Sequence, residues 1–118
     1  LYKENKLIFN NYISYNKNIV KKINRVIKHA NNNVYLFGAH IFSQTLIAMG
    51  LNSNKIKFIL DNDRLKRNKR LYGTELYVKS PLILKNLKNP IVILKCGVYN
   101  NEIKRDIIKN INNKTIFI

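Results

Sequence analysis

Cysteine is nearly absent from this sequence. A single cysteine, Cys96, among 118 residues excludes an intrachain disulfide and is typical of a protein of the reducing cytoplasm. Cys96 ends an apolar run, which favours a buried core thiol. The two histidines lie far apart in sequence, and no group of cysteine and histidine has the spacing of zinc ligands. No metal site is therefore predicted.

Long apolar runs are also absent. No stretch reaches the roughly 20 apolar residues of a membrane-spanning helix. The opening segment "LYKENKLIFN" places acid, amide and lysine side chains where a signal peptide would be apolar. We therefore predict no membrane association and a cytoplasmic location. The sequence begins with leucine rather than methionine, and we expect it to be a C-terminal fragment of a larger enzyme.

Acidic residues are few: 6, against 22 lysines and arginines, which gives a formal net charge of +16. Such a charge is typical of nucleic-acid-binding proteins. Here the lysines accompany abundant asparagine and isoleucine, which A/T-rich codons encode, and they are scattered except in "RLKRNKR", residues 64–70. No RNA-binding aromatic signature or recognition-helix pattern is present. We interpret the charge as genome composition and expect no nucleic-acid partner.

The chain is predicted to form one domain, with a leading helical segment over residues 1–33 and an α/β core over residues 34–118. Its length and its 46% hydrophobic content suit one compact core. From Lys6 to Ala30 apolar residues recur at intervals of three and four, as in an amphipathic helix. Whether this is one helix, or two helices with a break near Ser14, stays open.

After residue 33, strand-like and helix-like segments alternate. Near-continuous apolar strands separated by helices are typical of a parallel sheet covered on both faces. The predicted fold class is α/β, a small three-layer Rossmann-like parallel sheet of four or five strands with an N-terminal helix. The predicted strands are "VYLFG", Lys55–Asp61, "TELYV", Pro90–Lys95 and "KTIFI", and the predicted helices are "AHIFSQTLIAM", a segment capped by Ser80, and Tyr99–Ile111.

The turn after the first predicted strand is a candidate ligand site. Ligands of parallel sheets lie at the carboxyl ends of the strands. Gly38 lets the backbone approach a phosphate, and a helix starting near Ala39 would direct free N–H groups toward it. If Gly38 is the middle glycine of a G-x-G-x-x-G fingerprint, Leu36 and Ile41 occupy the other two positions. A complete NAD site is therefore not predicted.

Asp61 and His40 each have two interpretations. Asp61 ends the second predicted strand, near where a Rossmann acid binds ribose hydroxyls. Asp61 and Asn62 are equally typical of a strand-to-loop turn that they cap. His40 is either a donor to a phosphate or sugar, or a solvated surface residue.

Three further features belong to the same predicted edge of the sheet. The "RLKRNKR" loop either clamps a diphosphate or is only solvated. Tyr99 and Asn100 follow the strongest predicted strand and lie on the ligand side. Glu102 either lies on the ligand side with them or stabilises its own helix by interacting with the helix dipole. No nucleophile–base set, metal motif or phosphate-binding loop motif is present, and no catalytic residue is predicted.

The order of these features resembles the C-terminal domain of the bacterial sugar C-methyltransferases, which use S-adenosylmethionine to modify nucleotide-linked deoxysugars. The family turn has the form G-x-G-A-x-x-K-G-x-x-L-L, and "LFGAHIFSQTLI" keeps Gly38, Ala39 and Leu46. Later motifs of the family are matched by "DNDRLK", "SP" and "GVYNNEI". The sequence departs from the family pattern at Leu36 and Phe42, which replace a glycine and a lysine.

This resemblance implies a substrate-binding accessory domain that is not catalytic alone. The partners implied are a sugar-nucleotide or other phosphorylated sugar and an upstream catalytic domain. S-adenosylmethionine would bind to that upstream domain, and no cofactor would bind to this chain. The turn of residues 38–40 would approach a phosphate. Asp61 and Asn62 would bind hydroxyls, and Tyr99 would stack on a ring. The residues expected at the substrate are Gly38, Ala39, His40, Asp61, Asn62, Tyr99 and Asn100.

Two alternatives stay open at this point. One is the nucleotide-sugar-binding domain of a sugar acyltransferase, which has a similar glycine turn and acidic strand end. The other is a structural docking or dimerisation domain that has kept the fold and lost the pocket.

Overall fold

A computed structural model describes residues 1–118. The chain begins with one continuous helix, α1 (Tyr2–Lys28), so no break occurs near Ser14. Val20, Ile23 and Ile27 are its buried residues, and they recur at the spacing of one helix face. Residues 1–12 are all exposed. None of the helices combines the length and the apolar character needed to cross a bilayer.

Five parallel strands form one sheet in the order β3-β2-β1-β4-β5. The predicted α/β class, with a parallel five-stranded sheet after an N-terminal helix, is confirmed. The third strand is shorter than predicted and lies at the end of the "TELYV" segment. The strands are β1 (Val34–Phe37), β2 (Ile56–Leu60), β3 (Val78–Lys79), β4 (Ile91–Ile93) and β5 (Ile116–Phe117).

Two helices follow β1 and β4 as predicted: α2 (Ile41–Ala48) and α3 (Asn100–Asn110). The prediction of a helix after Ser80 is wrong beyond its first turn. Ser80 does cap the segment, since its hydroxyl accepts from the Leu82 N–H at 3.2 Å, but only a 3₁₀ turn over Pro81–Leu84 forms.

Both faces of the sheet are covered, which gives three layers. On one face α1 and α2 pack against alternate strand residues such as Leu36, Ile59 and Ile93. On the other face α3, through Ile107, and the 3₁₀ turn pack against the intervening residues, such as Tyr35. All four residues of β1 are buried. β1 is therefore the centre of both cores.

Several turns of this chain use asparagine in the left-handed backbone region. Asn68, Asn86 and Asn89 have φ values of 63°, 67° and 47°. Asparagine tolerates this region better than most residues with a side chain. The predicted helix stops earlier, because Lys85 has a ψ of 131° directly after the 3₁₀ turn, and the left-handed Asn86 follows it.

Substitution in β1 tests the central position of this strand. Leu36 is fully buried, so we expect Leu36→Ala to lower the free energy of unfolding by about 2–5 kcal/mol. The control is Leu82→Ala, which removes the same atoms from a side chain that is 61% exposed and should cost less than about 0.5 kcal/mol. Urea unfolding followed by circular dichroism measures both. Equal losses for the two variants would contradict the assigned core.

Candidate functional site

A cleft of about 500 Å³ lies at the carboxyl edge of the sheet. The strand order reverses at β1, with β2 and β3 on one side and β4 and β5 on the other. Residues that follow β1, β2 and β4 line the cleft, which is where parallel α/β sheets bind ligands. Five of the seven predicted substrate residues lie on its wall: Gly38, His40, Asp61, Asn62 and Tyr99.

A larger open depression of about 810 Å³ lies elsewhere, beside the loop of residues 70–76. Its charged side chains are Arg70 and Glu75, which form an exposed ion pair at 3.3 Å. It does not lie at the carboxyl ends of β1, β2 and β4. The smaller cleft therefore has the position expected of a ligand site in this fold.

The carboxylate of Asp61 joins the turns that follow β1 and β2. Asp61 Oδ2 accepts from the Ala39 N–H at 2.8 Å, and Oδ1 accepts from the Asp63 N–H at 2.8 Å. Asp61 therefore caps its turn, one of its two predicted roles. Each oxygen keeps a second acceptor position, and Asp61 also lines the cleft. The Ala39 N–H, predicted to face a phosphate, already has a protein acceptor.

Gly38 and His40 fit closely together in the turn after β1. Gly38 has a φ of +107° and donates its N–H to the Leu60 carbonyl at 2.7 Å. A Cβ atom at this position would overlap the His40 imidazole. Glycine is thus required both by the backbone conformation and by the ring above it.

His40 is half-buried on the wall of the cleft. Its Nε2 lies 3.6 Å from Cys96 Sγ, and its Nδ1 is buried with no hydrogen-bond partner in the protein. Burial lowers the pKa of His40 below its ordinary value, although the negative charge of Asp61 opposes this shift. At neutral pH the ring is therefore uncharged, and it offers a ligand one donor or acceptor rather than a positive charge.

Cys96 is buried, as predicted, and it also borders the cleft. Its thiol lies 3.6 Å from the Phe37 carbonyl oxygen. Burial raises the pKa of Cys96, and the charge of Asp61 raises it further. The thiol therefore stays protonated at neutral pH, and it packs against His40 as an uncharged neighbour.

Asn100 and Lys66 do not line the cleft, and each has a structural role beside it. Asn100 Oδ1 accepts from the Cys96 N–H at 2.6 Å, so its amide holds the start of α3 against the end of β4. In the "RLKRNKR" loop, Lys66 Nζ donates to the Ala39 carbonyl at 2.9 Å. One lysine of the loop therefore lies against the glycine turn and brings its positive charge close to His40.

The remaining wall of the cleft comes from α3 and the turn before it. Tyr99 is 62% exposed, and Glu102 and Asp106 line the cleft one helical turn apart. Sequence reasoning left the role of Glu102 open and did not include Asp106 or Cys96. The spacing of four residues between the two acids was the available signal, because such pairs share one helix face.

The chain is a small Rossmann-like α/β domain with a polar cleft at the switch point of its sheet. A family model described as the C-methyltransferase C-terminal domain matches residues 4–118. The chain belongs to this family, which confirms the resemblance noted in the sequence. The match begins inside α1, so the long helix is part of the family domain. No curated protein and no solved structure matches the chain.

The fit between Gly38 and His40 gives a stability prediction. Gly38→Ala should lower the free energy of unfolding by about 1–3 kcal/mol, because the new methyl group strains the backbone and displaces the imidazole. Gly97→Ala is the matched control: its φ is also positive, at +62°, but the space around it is open. We expect this control to cost about 1 kcal/mol. A loss at Gly38 no larger than at Gly97, measured by chemical denaturation, would contradict the close fit.

The lowered pKa of His40 predicts acid sensitivity. In the unfolded chain a histidine binds its proton near pH 6.5, whereas folded His40 binds it only at lower pH. As the pH falls from about 7.5 to 5.5, the unfolded state gains more protons, so the free energy of unfolding should decrease. His40→Gln should reduce this slope. Equal slopes for wild type and His40→Gln, measured by urea unfolding at each pH, would contradict the prediction.

Proposed function

We propose that this chain is the substrate-binding domain of a C-methyltransferase, not catalytic alone, and that a nucleotide-linked sugar occupies the switch-point cleft. The methyl donor, S-adenosylmethionine, binds to a separate upstream domain of the same enzyme, where the transfer occurs. Nucleotide sugars are cytoplasmic precursors of polysaccharides, so we place the enzyme in the cytoplasm and in polysaccharide biosynthesis. The family match favours this function over that of an acyltransferase domain.

The observation that carries the proposal is the convergence of acids on the cleft. The chain has 6 acidic residues and a net charge of +16, yet Asp61, Glu102 and Asp106 all line this one cleft. Base composition does not explain that placement in a lysine-rich chain. Ionised carboxylates only accept hydrogen bonds, and the hydroxyl groups of a sugar are matching donors.

The cleft also has a face for a ring and a side for a phosphate. Tyr99 presents an exposed aromatic ring, which suits stacking on a base or on the apolar face of a sugar. Lys66 is held against the glycine turn and supplies positive charge there. We therefore place the sugar hydroxyls toward Glu102 and Asp106, and the diphosphate toward Lys66 and Gly38.

Ligand-induced stabilisation of the 118-residue chain tests this function. The panel contains nucleoside diphosphates, nucleotide sugars, NAD and S-adenosylmethionine. We expect a nucleotide sugar at a hundred times its dissociation constant to add about 2.7 kcal/mol of stability, and S-adenosylmethionine to add none. Thermal unfolding with each ligand gives the measurement.

Glu102→Gln separates binding at the cleft from binding elsewhere. Glutamine keeps a neutral acceptor, and exchanging a hydrogen bond to a charged group for one to a neutral group costs about 1–1.5 kcal/mol. We therefore expect the affinity for the nucleotide sugar to fall about five- to tenfold. Glu75→Gln makes the same chemical change at a side chain that is 91% exposed and outside the cleft, and it should bind like wild type. If neither the chain nor the complete methyltransferase responds to any nucleotide sugar, the domain is a docking domain and the proposal fails.

A further inference from the structure

We infer that the first half of α1 is a docking surface for the methyl-donor domain of the same enzyme, and that it positions this domain over the switch-point cleft. The inference rests on the proposed function for the identity of the partner. The surface consists of residues 2–15 of α1, here called the projecting half, together with Ile41 and Phe42 of α2.

The projecting half continues a helix face that is buried further along α1. Val20, Ile23 and Ile27 pack on the sheet, and the same face extends back to Phe9 and Tyr2 at helical spacing. There the side chains have nothing to pack on: Phe9 is 60% exposed and Tyr2 is 79% exposed. Half of one amphipathic stripe is therefore used within the domain, and half is left uncovered.

Charge is missing from the projecting half after Lys6. The segment "LIFNNYISYN", residues 7–16, contains no charged residue in a chain in which 24% of the residues are charged. The flanking charges are Lys3, Lys6 and Lys17, with a single acid, Glu4, among them. An apolar, aromatic centre with a charged border is the usual composition of a protein–protein interface.

The projecting half extends from the edge of the sheet that carries the cleft. Tyr12 and Asn16 border a small notch together with Phe42 and with Lys95, which follows the end of β4. Phe42 in turn contacts the His40 ring edge-on, with 5.5 Å between ring centroids. The apolar surface is thus continuous from α1, across the first turn of α2, to the wall of the cleft.

Charge decides which partner fits this surface. A second copy would bring a chain of charge +16 against an interface bordered by lysines, which is unfavourable. A partner with an apolar centre and acidic residues around it is complementary. The projecting half is about 21 Å long, so with the first turn of α2 it forms part of one side of a standard interface of roughly 800 Å² per partner.

Placement beside the cleft makes the methyl-donor domain the fitting partner. Any domain bound along α1 and over Phe42 borders the cleft wall at His40. Methyl transfer requires donor and acceptor atoms in close contact, so a substrate held in the cleft must meet the donor domain from this edge.

Hydroxyl-radical footprinting read by mass spectrometry tests the surface in the intact enzyme. Tyr12 and Tyr77 are matched in exposure, at 50% and 48%, and Tyr77 precedes β3 at the far edge of the sheet. In the isolated chain both should be oxidised at similar rates. In the complete C-methyltransferase we expect Tyr12 to be protected at least fivefold and Tyr77 to be unchanged. Equal oxidation of Tyr12 in the two samples would overturn the inference.

Matched substitutions then separate docking from substrate binding. Phe9→Lys in the complete enzyme should restore oxidation of Tyr12 and reduce methyl transfer at least tenfold, whereas Leu82→Lys, at a side chain of nearly equal exposure (61%), should change neither. Nucleotide-sugar stabilisation of the isolated chain should be the same with and without Phe9→Lys. If no nucleotide sugar stabilises the wild-type chain, that result refutes the proposed function and not the docking surface.

Self-association is the competing outcome. Sedimentation of the isolated chain should give a monomer at micromolar concentration. A dimer that Phe9→Lys dissociates, with Tyr12 protected in the isolated chain, would assign the surface to a second copy and overturn the inference.

Discussion

β1 lies at the centre of the sheet with all four of its residues buried, and this double burial determines most of the remaining architecture. A strand with two apolar faces needs a covering layer on each side, which α1 and α2 supply on one face and α3 on the other. The same central position makes β1 the point where strand order reverses. The cleft therefore lies at the end of β1 because of how the core is built.

At that end, Asp61 connects packing with electrostatics. Its carboxylate fixes the turns after β1 and β2 by two backbone hydrogen bonds, and its charge lies near both His40 and Cys96. Burial lowers the pKa of His40 and raises the pKa of Cys96, so both stay uncharged at neutral pH. The cleft thus combines an uncharged histidine–thiol corner with the carboxylates of Asp61, Glu102 and Asp106.

Much of the fold could be predicted from the sequence, because the short apolar runs at β1, β2 and β4 are bounded by clear turn residues. The early end of the segment after Ser80 could not be predicted, since a sound N-cap does not determine where a helix stops. Here Lys85 already leaves the helical region, before the left-handed Asn86. At the site, alternative roles for Asp61 were foreseeable, but its bond to the Ala39 N–H depends on two strands being neighbours. Asp106 joins the cleft only through the way α3 packs, which sequence spacing alone does not fix.

The left-handed asparagines have a consequence for how relatives of this protein are found. The chain has only 4 glycines, and Asn68, Asn86 and Asn89 make turns in a backbone region where glycine is usual. Asparagine and glycine can both follow the backbone path of such turns, and A/T-rich codons encode asparagine. Patterns defined by glycine spacing will therefore miss diverged copies of this domain, whereas patterns that accept asparagine at left-handed positions will retain them.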